Sequence, residues 1–186
     1  MRSNNFTIEA ILCSKVGEIN QHLRVVPKKK NNTLNQLKTI NMNILALDIA
    51  TNTGWKTRTS SGVWNLKPNR GESEGMRVVR FKSKVRELVK MEEINLVSYE
   101  RPAGFHKSSI IVAAEMVGVL KDLCIEIGVE YACYSATEIK KFATGKGNAN
   151  KEAMIRAAIN LGFHPQDDNE ADAIHLYNLS VKDLNK

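Results

Sequence analysis

The chain has 186 residues, of which 42% are hydrophobic and 25% charged, the balance of an ordinary soluble globular domain. It contains no apolar run near the ~20 residues of a membrane-spanning helix, and its amino terminus lacks the apolar core of a secretory signal. Its odd cysteine count and scattered histidines exclude a disulfide framework and a zinc-ligand pattern. These features favour a reduced, cytoplasmic protein, in the bacterial host cytosol if the chain is phage-encoded.

The first 41 residues carry most of the net charge of +7, with seven Lys and Arg against two Glu. The run Lys28–Lys30 and the many asparagines predict a basic, loosely structured extension. Its role stays open between a nucleic-acid-binding arm and a dispensable extension, because Met42 leads directly into the first strand. We expect the folded domain to cover residues 42–186.

A buried strand is predicted at about Asn43–Asp48, because its apolar run ends in one carboxylate before a turn at Asn52–Gly54. A lone Asp there costs several kcal/mol to desolvate unless something compensates it. Two interpretations remain open for Asp48. It folds back onto the amides of Ala50 and Thr51 in an Asx-turn, or it is a functional acid.

Hydrophobic periodicity and turn residues define the elements that follow. Two more strands complete an antiparallel meander, and helices and strands then alternate. The predicted elements are strands at about Trp55–Thr59 and Val63–Leu66, a helix at Met76–Met91, a strand at Ile94–Glu100, a helix at Ser108–Gly128, a strand at Glu130–Tyr134, a short helix opened by the capping box Ser135–Glu138, and helices at Lys151–Leu161 and about Asn169–Leu184. This order predicts an α/β fold whose mixed five-stranded sheet is flanked by helices.

Further acids lie at the ends of predicted elements. Glu100 ends the fourth strand. If this strand is a parallel neighbour of the first, Glu100 and Asp48 lie at the same edge of the sheet, where such sheets bind ligands. Asp172 lies inside the last helix between two alanines, and Asp168 or Asn169, four or three residues earlier, would share its face. Asp167 is expected to cap that helix.

Clustered carboxylates repel one another unless cations neutralise them, and hard oxygen ligands select Mg²⁺ or Mn²⁺. Two such ions about 4 Å apart commonly hydrolyse phosphodiesters.

A glycine-rich basic segment, Ile139–Lys151, lies between two of the helices and lacks the spacing of a Walker loop. Its exposed amides and charges suit a phosphate backbone, and a merely solvated loop is the alternative. The candidate DNA-binding residues are Lys140, Lys141, Lys146 and Lys151. The basic side of the Met76–Met91 helix, by contrast, is expected to be a solvated face.

Four motifs in this order resemble RuvC-type Holliday-junction resolvases, closest to their compact phage-borne branch. They are LALDIATNTGW, LVSYERPAG, SATEIKKFATGKGNANKEAM and DDNEADAIHL, and they cover about Met42–Leu179. The resemblance implies an RNase H-like fold, a homodimer, and a metal-dependent endonuclease that nicks four-way junctions in recombination and repair. The expected metal is Mg²⁺, with Mn²⁺ able to substitute, as two ions.

By position, the resemblance carries the metal-binding acids over to Asp48, Glu100, Asp172 and a group at the start of the last helix. That group is Asp168 or Glu170, because Asn169 stands where the family often has Asp or His. The expected catalytic residues are therefore the acids at 48, 100, 168 and 172, together with Lys151. The family's lysine motif carries over to Lys140 and Lys151, near the scissile phosphate.

Two other functions fit parts of the pattern. Actin-like and sugar-kinase ATPases share the opening Asp–turn–Thr–Gly hairpin, but they need a duplicated domain and a second glycine-rich hairpin, for which the chain after Met42 leaves no room. A non-catalytic module that binds branched DNA is the second alternative, which the intact acids argue against. We also expect a two-fold dimer to match the junction's symmetry, with an interface on the Ser108–Gly128 helix through Ile110, Ile111, Val112, Val117, Val119 and Leu120.

Overall fold

Five strands and five helices make up the part of the chain that the computed structural model describes, residues 42–104 and 107–185. In chain order they are β1 (Ile44–Asp48), β2 (Asn52–Lys56), β3 (Ser61–Asn65), α1 (Gly75–Met91), β4 (Leu96–Glu100), α2 (Lys107–Ile127), β5 (Glu130–Tyr134), α3 (Ala136–Thr144), α4 (Lys151–Asn160) and α5 (Asp168–Leu184). The predicted basic extension at residues 1–41 lies outside the described residues.

The strands form one mixed sheet in the order β3-β2-β1-β4-β5. β2 is antiparallel to both β1 and β3, whereas β4 is parallel to both β1 and β5. This arrangement confirms the predicted mixed five-stranded sheet. The predicted turn at Asn52–Gly54 is wrong, because all three residues belong to β2 and pair with β3. The chain reverses earlier, where Thr53 Oγ1 donates a 2.6 Å hydrogen bond to the Ala50 carbonyl.

Helices cover both faces of the sheet, so β1 is buried on both sides and reads as a continuous apolar run. Leu45 and Leu47 face a core built with α1 and α2, whereas Ala46 faces a second core built with α3, α4 and α5. The apolar residues of β1 therefore hold the strand rigidly at the centre of the molecule, and its carboxyl end is fixed in place. None of the described helices is long and apolar enough to cross a membrane.

Helix α5 lies directly on β1 and β2, and a glycine makes this approach possible. A Cβ on Gly54 would lie 1.9 Å from the carbonyl oxygen of Asn169, at the start of α5. Gly54 is also the β2 residue that pairs with Asp48. The first turn of α5 is thus fixed beside the carboxyl end of β1.

Candidate active site

Two carboxylates come from the central parallel strand pair. Leu47 of β1 pairs with Tyr99 of β4, so the next residues, Asp48 and Glu100, end neighbouring strands at one edge of the sheet. Parallel sheets commonly bind ligands beyond this edge. The Asx-turn alternative for Asp48 is not what the structure shows, since the Ala50 amide donates to Thr53 Oγ1 at 3.4 Å.

The first turn of α5 brings more acids to this edge. Asp167 is the N-cap, and its Oδ1 accepts a 3.0 Å hydrogen bond from the Glu170 amide, as predicted. Asp168 is the first helical residue, and Asp172 follows one turn later on the same face. The Asn169 side chain donates to Asp167 Oδ2 at 3.0 Å. Asn169 therefore supports the cap instead of joining the acids.

These acids lie close enough to Asp48 for their charges to raise its pKa. Burial raises the pKa of Asp48 well above its usual range, and the charges of Glu100, Asp172, Asp168 and Asp167 raise it further. Burial, with the nearby Asp172, raises the pKa of Glu100 to about 7. Burial raises the pKa of Asp172 to about 6, with Asp168 and Asp167 adding to the effect and Lys140 opposing it. Without added positive charge, the cluster retains protons near neutral pH.

Glu170 was a candidate metal ligand, and the structure places it elsewhere. Its side chain is buried, and Oε1 accepts a 2.6 Å hydrogen bond from Ser61 Oγ. Oε2 accepts a 2.8 Å hydrogen bond from the Gln166 amide. Oε1 therefore joins α5 to β3, and Oε2 joins α5 to the loop that precedes it. Of the two alternatives for the fourth group, only Asp168 lies with the acid cluster.

The lysines of the glycine-rich segment fall into two groups. Lys140, on α3, is close enough to Glu100 and Asp172 for its charge to oppose the rise in the pKa of each. Lys151 begins α4, and its Nζ lies 2.5 Å from Asp168 Oδ2. Lys141 and Lys146 are exposed and lie outside these contacts. Two of the four predicted DNA-binding lysines thus adjoin the acids, and the other two extend the positive surface.

The geometry of the glycine-rich segment follows from its sequence. Ser135 accepts from the Glu138 amide, and Glu138 Oε2 accepts from the Ser135 amide, completing the predicted capping box of α3. Gly145 ends the helix with a φ of 79°, a conformation that favours glycine. A Cβ on Gly147 would lie 2.7 Å from the Thr137 side chain. The loop therefore folds back closely over the start of α3.

The acid cluster fits a hard divalent cation in its chemistry. All of its donors are carboxylate oxygens, which Mg²⁺ and Mn²⁺ prefer. Asp172 Oδ1 is buried without a hydrogen-bond partner among the described residues, and such an atom calls for a ligand. As placed, no three acidic, His or Cys side chains of the described residues converge closely enough to hold one ion. The donors fit, but the carboxylates must move inward to bind a metal.

Three residues that support the site were not predicted from the sequence. Gly54 and Ser61 fix the start of α5, as described above. Lys56 is only 6% exposed, and its Nζ lies 5.3 Å from the ring centre of Phe163. Burial lowers its pKa, and the charges of Glu92 and Glu170 oppose this shift. A glycine inside a strand often marks a close backbone approach, and this signal could have identified Gly54. No sequence signal identifies Ser61.

Sequence comparisons identify one protein family. The family model described as crossover junction endodeoxyribonuclease RuvC matches residues 48–177, more than half of the chain. The RuvC protein of Synechococcus sp. (strain CC9311) is 28% identical over 112 residues, covering 59% of this chain and 70% of that protein. The RuvC protein of Prochlorococcus marinus (strain MIT 9303) is 26% identical over 129 residues, covering 68% and 82%.

Solved structures share the fold. T. thermophilus RuvC in complex with a Holliday junction substrate matches with a TM-score of 0.61 and 19% identity, covering 73% of this chain and 90% of that one. The yeast mitochondrial Holliday junction resolvase Ydc2 matches with a TM-score of 0.54 and 10% identity, covering 73% and 75%. Because the family model matches most of the chain, from Asp48 to beyond Asp172, the chain belongs to the RuvC family of crossover junction endodeoxyribonucleases.

Proposed function

We propose that this protein is a metal-dependent endonuclease that nicks four-way DNA junctions by hydrolysing phosphodiester bonds in recombination and repair. The observation that carries the proposal is the gathering of Asp48, Glu100, Asp168 and Asp172 at one sheet edge, where burial and the charges of the other three acids raise the pKa of Asp48. Membership of the RuvC family and the junction-bound structure of the T. thermophilus relative support the choice of substrate.

The four acids would hold the metal, which we propose is Mg²⁺ with Mn²⁺ able to replace it. Two bound ions would supply an activated water and neutralise the departing oxygen. Asp172 would contribute an oxygen that has no hydrogen-bond partner among the described residues, and Asp48 and Glu100 would contribute oxygens from the ends of the central strands. The raised pKa values mean that metal binding releases protons, because carboxylates must ionise to bind a cation.

The lysines position the DNA. Lys140 lies beside Glu100 and Asp172, where its ammonium group can contact the phosphate that approaches them. Lys151 is exposed and lies at the start of α4, whose free amides also favour an anion. Lys141 and Lys146 add charge to the same surface without reading bases. We assign phosphate binding to all four lysines and a direct role at the scissile phosphate to Lys151.

Nicking of a mobile four-way junction in Mg²⁺ tests this function, with Asp48→Asn as the control. We expect the wild type to cut, and we expect Asp48→Asn, Glu100→Gln and Asp172→Asn to bind the junction without cutting it, because a carboxamide keeps the shape but loses the charge. Binding without cleavage by the wild type would instead indicate a non-catalytic branched-DNA-binding module. Near-normal turnover of any of the three variants would refute the metal assignment.

We further propose that the protein acts as a two-fold dimer, since a junction needs two symmetric nicks. The structure corrects part of the predicted interface, because Val117 and Leu120 are buried in the core of the protomer. Ile111 is 57% exposed on α2 and remains available. Sedimentation at micromolar concentration should show twice the 20.8 kDa chain mass, and Ile111→Glu should reduce the mass to that of a single chain. The matched control is Ile159→Glu, which changes an exposed residue of α4.

The domain organisation and the cellular location complete the proposal. Residues 42–186 are the nuclease domain, and residues 1–41 are a basic extension to it. The protein works in the cytoplasm, where its DNA substrate is found.

A further inference from the structure

Lys56 is a buried cation on the face of the sheet that α5 covers. It pairs with Ala46 of β1, and Ala46 and Asp48, two residues apart on that strand, point to the same face. The Nζ of Lys56 lies 5.3 Å from the ring centre of Phe163, in the loop between α4 and α5, and 5.5 Å from that of Tyr177 in α5. One lysine of β2 therefore contacts both the loop before α5 and the middle of that helix.

The surroundings of Lys56 favour a fixed position for its ammonium group. A buried ammonium group costs stability unless its environment compensates it. Here the compensation comes from the two ring faces, from the Ser60 carbonyl, to which Nζ donates at 3.4 Å, and from the charges of Glu92 and Glu170. An apolar side chain would fill the same space without this cost. A cation, however, is attracted to ring faces in a defined geometry, most strongly where water is excluded, so it fixes where the rings lie.

A second contact with α5 lies next to Lys56 in the sheet. Ser61 of β3 pairs with Lys56, so the two side chains lie on the same face. Ser61 Oγ donates a 2.6 Å hydrogen bond to Glu170 Oε1. Glu170 and Tyr177 are thus two points at which α5 is joined to β2 and β3, and Asp172 lies between them on the helix. The two strands therefore hold α5 on both sides of Asp172.

The position of Asp172 depends on the helix that carries it. Its Oδ1 is buried without a hydrogen-bond partner among the described residues. The contact between Gly54 and Asn169 limits how closely α5 approaches the sheet, but a repulsive contact does not hold the helix there. Hydrophobic packing attracts the helix without a preferred direction. Lys56 and Ser61 add directional attraction, which fixes α5 along the sheet.

We propose that Lys56 and Ser61 are positioning residues, which hold α5 where Asp168 and Asp172 can bind the metal. Mg²⁺ demands near-ideal ligand geometry, so a displacement of α5 by about 1 Å is enough to weaken its binding. Because both residues act through the helix, their loss weakens metal binding without removing a ligand. The proposal rests on the proposed function, since it presumes a metal at the acids.

Lys56→Met and Ser61→Ala test the proposal, and Lys90→Met and Ser60→Ala are the matched controls. Lys90 is exposed in the last turn of α1, and Ser60 Oγ donates to Glu92 Oε1 at 3.0 Å instead of to α5. Metal binding is measured without DNA, from the EPR signal of free Mn²⁺ during a titration. We expect both test variants to bind Mn²⁺ about tenfold more weakly than the wild type, the lower end of the range for residues that orient metal ligands. Both controls should match the wild type.

A purely structural role would move a different quantity. Ser61→Ala would then lower the thermal unfolding temperature and leave Mn²⁺ affinity unchanged. Under the proposal, Ser61→Thr, which restores the hydroxyl, should bring Mn²⁺ affinity back toward the wild-type value. Thermal unfolding without metal shows that each variant is folded at the temperature of the titration. If Lys56→Met does not fold, the comparison of Ser61→Ala with Ser61→Thr decides.

Positioning residues also differ from metal ligands in how cleavage responds to added metal. Raised Mn²⁺ should restore cleavage to Lys56→Met and Ser61→Ala, whereas Asp172→Asn should stay inactive. A wild type that binds no Mn²⁺ would refute the proposed metal-dependent function itself. A wild type that binds Mn²⁺, with Lys56→Met and Ser61→Ala equal to their controls in affinity, would refute the positioning role alone.

Discussion

The carbonyl oxygen of Asn169 lies directly over Gly54, so close that a Cβ there would be 1.9 Å from it. Gly54 pairs with Asp48, and Asn169 follows Asp168. This one contact therefore sets the separation between the acid of β1 and the acids of α5. Its loss should damage folding and catalysis together.

Gly54→Ala should destabilise the protein by about 1–3 kcal/mol, the usual cost of overpacking, because the obstructing atom belongs to the backbone. Cleavage should fall more than junction binding, since α5 must move away from β1. Gly75→Ala is the matched control: at the start of α1, its Cβ would meet only Ser73 Oγ, at 3.6 Å. Urea unfolding and single-turnover cleavage measure the two effects. A Gly54→Ala protein as stable and active as Gly75→Ala would contradict the contact.

Asp168→Asn and Glu170→Gln should fail in different ways. Asp168 lies with the acids, so its variant should lose cleavage and keep its stability. Glu170 is buried against Ser61 and the Gln166 amide, so its variant should unfold more easily, by about 1–3 kcal/mol. Thermal unfolding and nicking assays on both variants separate the two roles. Equal, mild losses in both variants would mean that neither carboxylate completes the metal site.

The metal-free protein should lose stability as pH rises from about 4 to about 7. Glu100 titrates near pH 4.5 in the unfolded chain and at about pH 7 in the fold, and Asp172 shifts from 3.8 to about 6. The folded state therefore binds more protons than the unfolded chain in this pH window, and this difference stabilises the fold. The stabilisation disappears as these acids ionise. Glu100→Gln should flatten the dependence of unfolding free energy on pH, and Mg²⁺ should oppose the loss. Wild-type stability that rises over this window relative to Glu100→Gln would contradict the assignment.

Removal of Lys151 should tighten metal binding while slowing cleavage. Its ammonium group pairs with Asp168 and competes with a cation for that carboxylate. Because the lysine is largely exposed, the competition is weak, and we expect Mg²⁺ to bind about two- to fivefold more tightly to Lys151→Ala. Titration calorimetry without DNA measures the change in Mg²⁺ affinity, and single-turnover kinetics measure the loss of cleavage rate. Lys146→Ala, a change to an exposed lysine of the same loop, should leave metal affinity unchanged.

Much of the architecture could be predicted from local patterns. The apolar runs were enough to predict that Asp48 and Glu100 each end a strand and would share a sheet edge if the two strands were parallel neighbours. The structure supplies that pairing. The strand at Asn52–Gly54 was missed because Asn, Thr and Gly are typical turn residues, and only the packing of α5 explains the glycine there. The position of Glu170 could not be predicted either, since its partner Ser61 is distant in sequence and contributes no pattern.

The acids are spread from residue 48 to residue 172, and α5 completes both the second core and the acid cluster. During synthesis, β1 leaves the ribosome well before α5, and pairings between distant segments form slowly. A partly made chain that has already formed β1 and β4 therefore holds Asp48 and Glu100 without Asp172. The proposed metal site is therefore complete only after the last helix has packed onto the sheet.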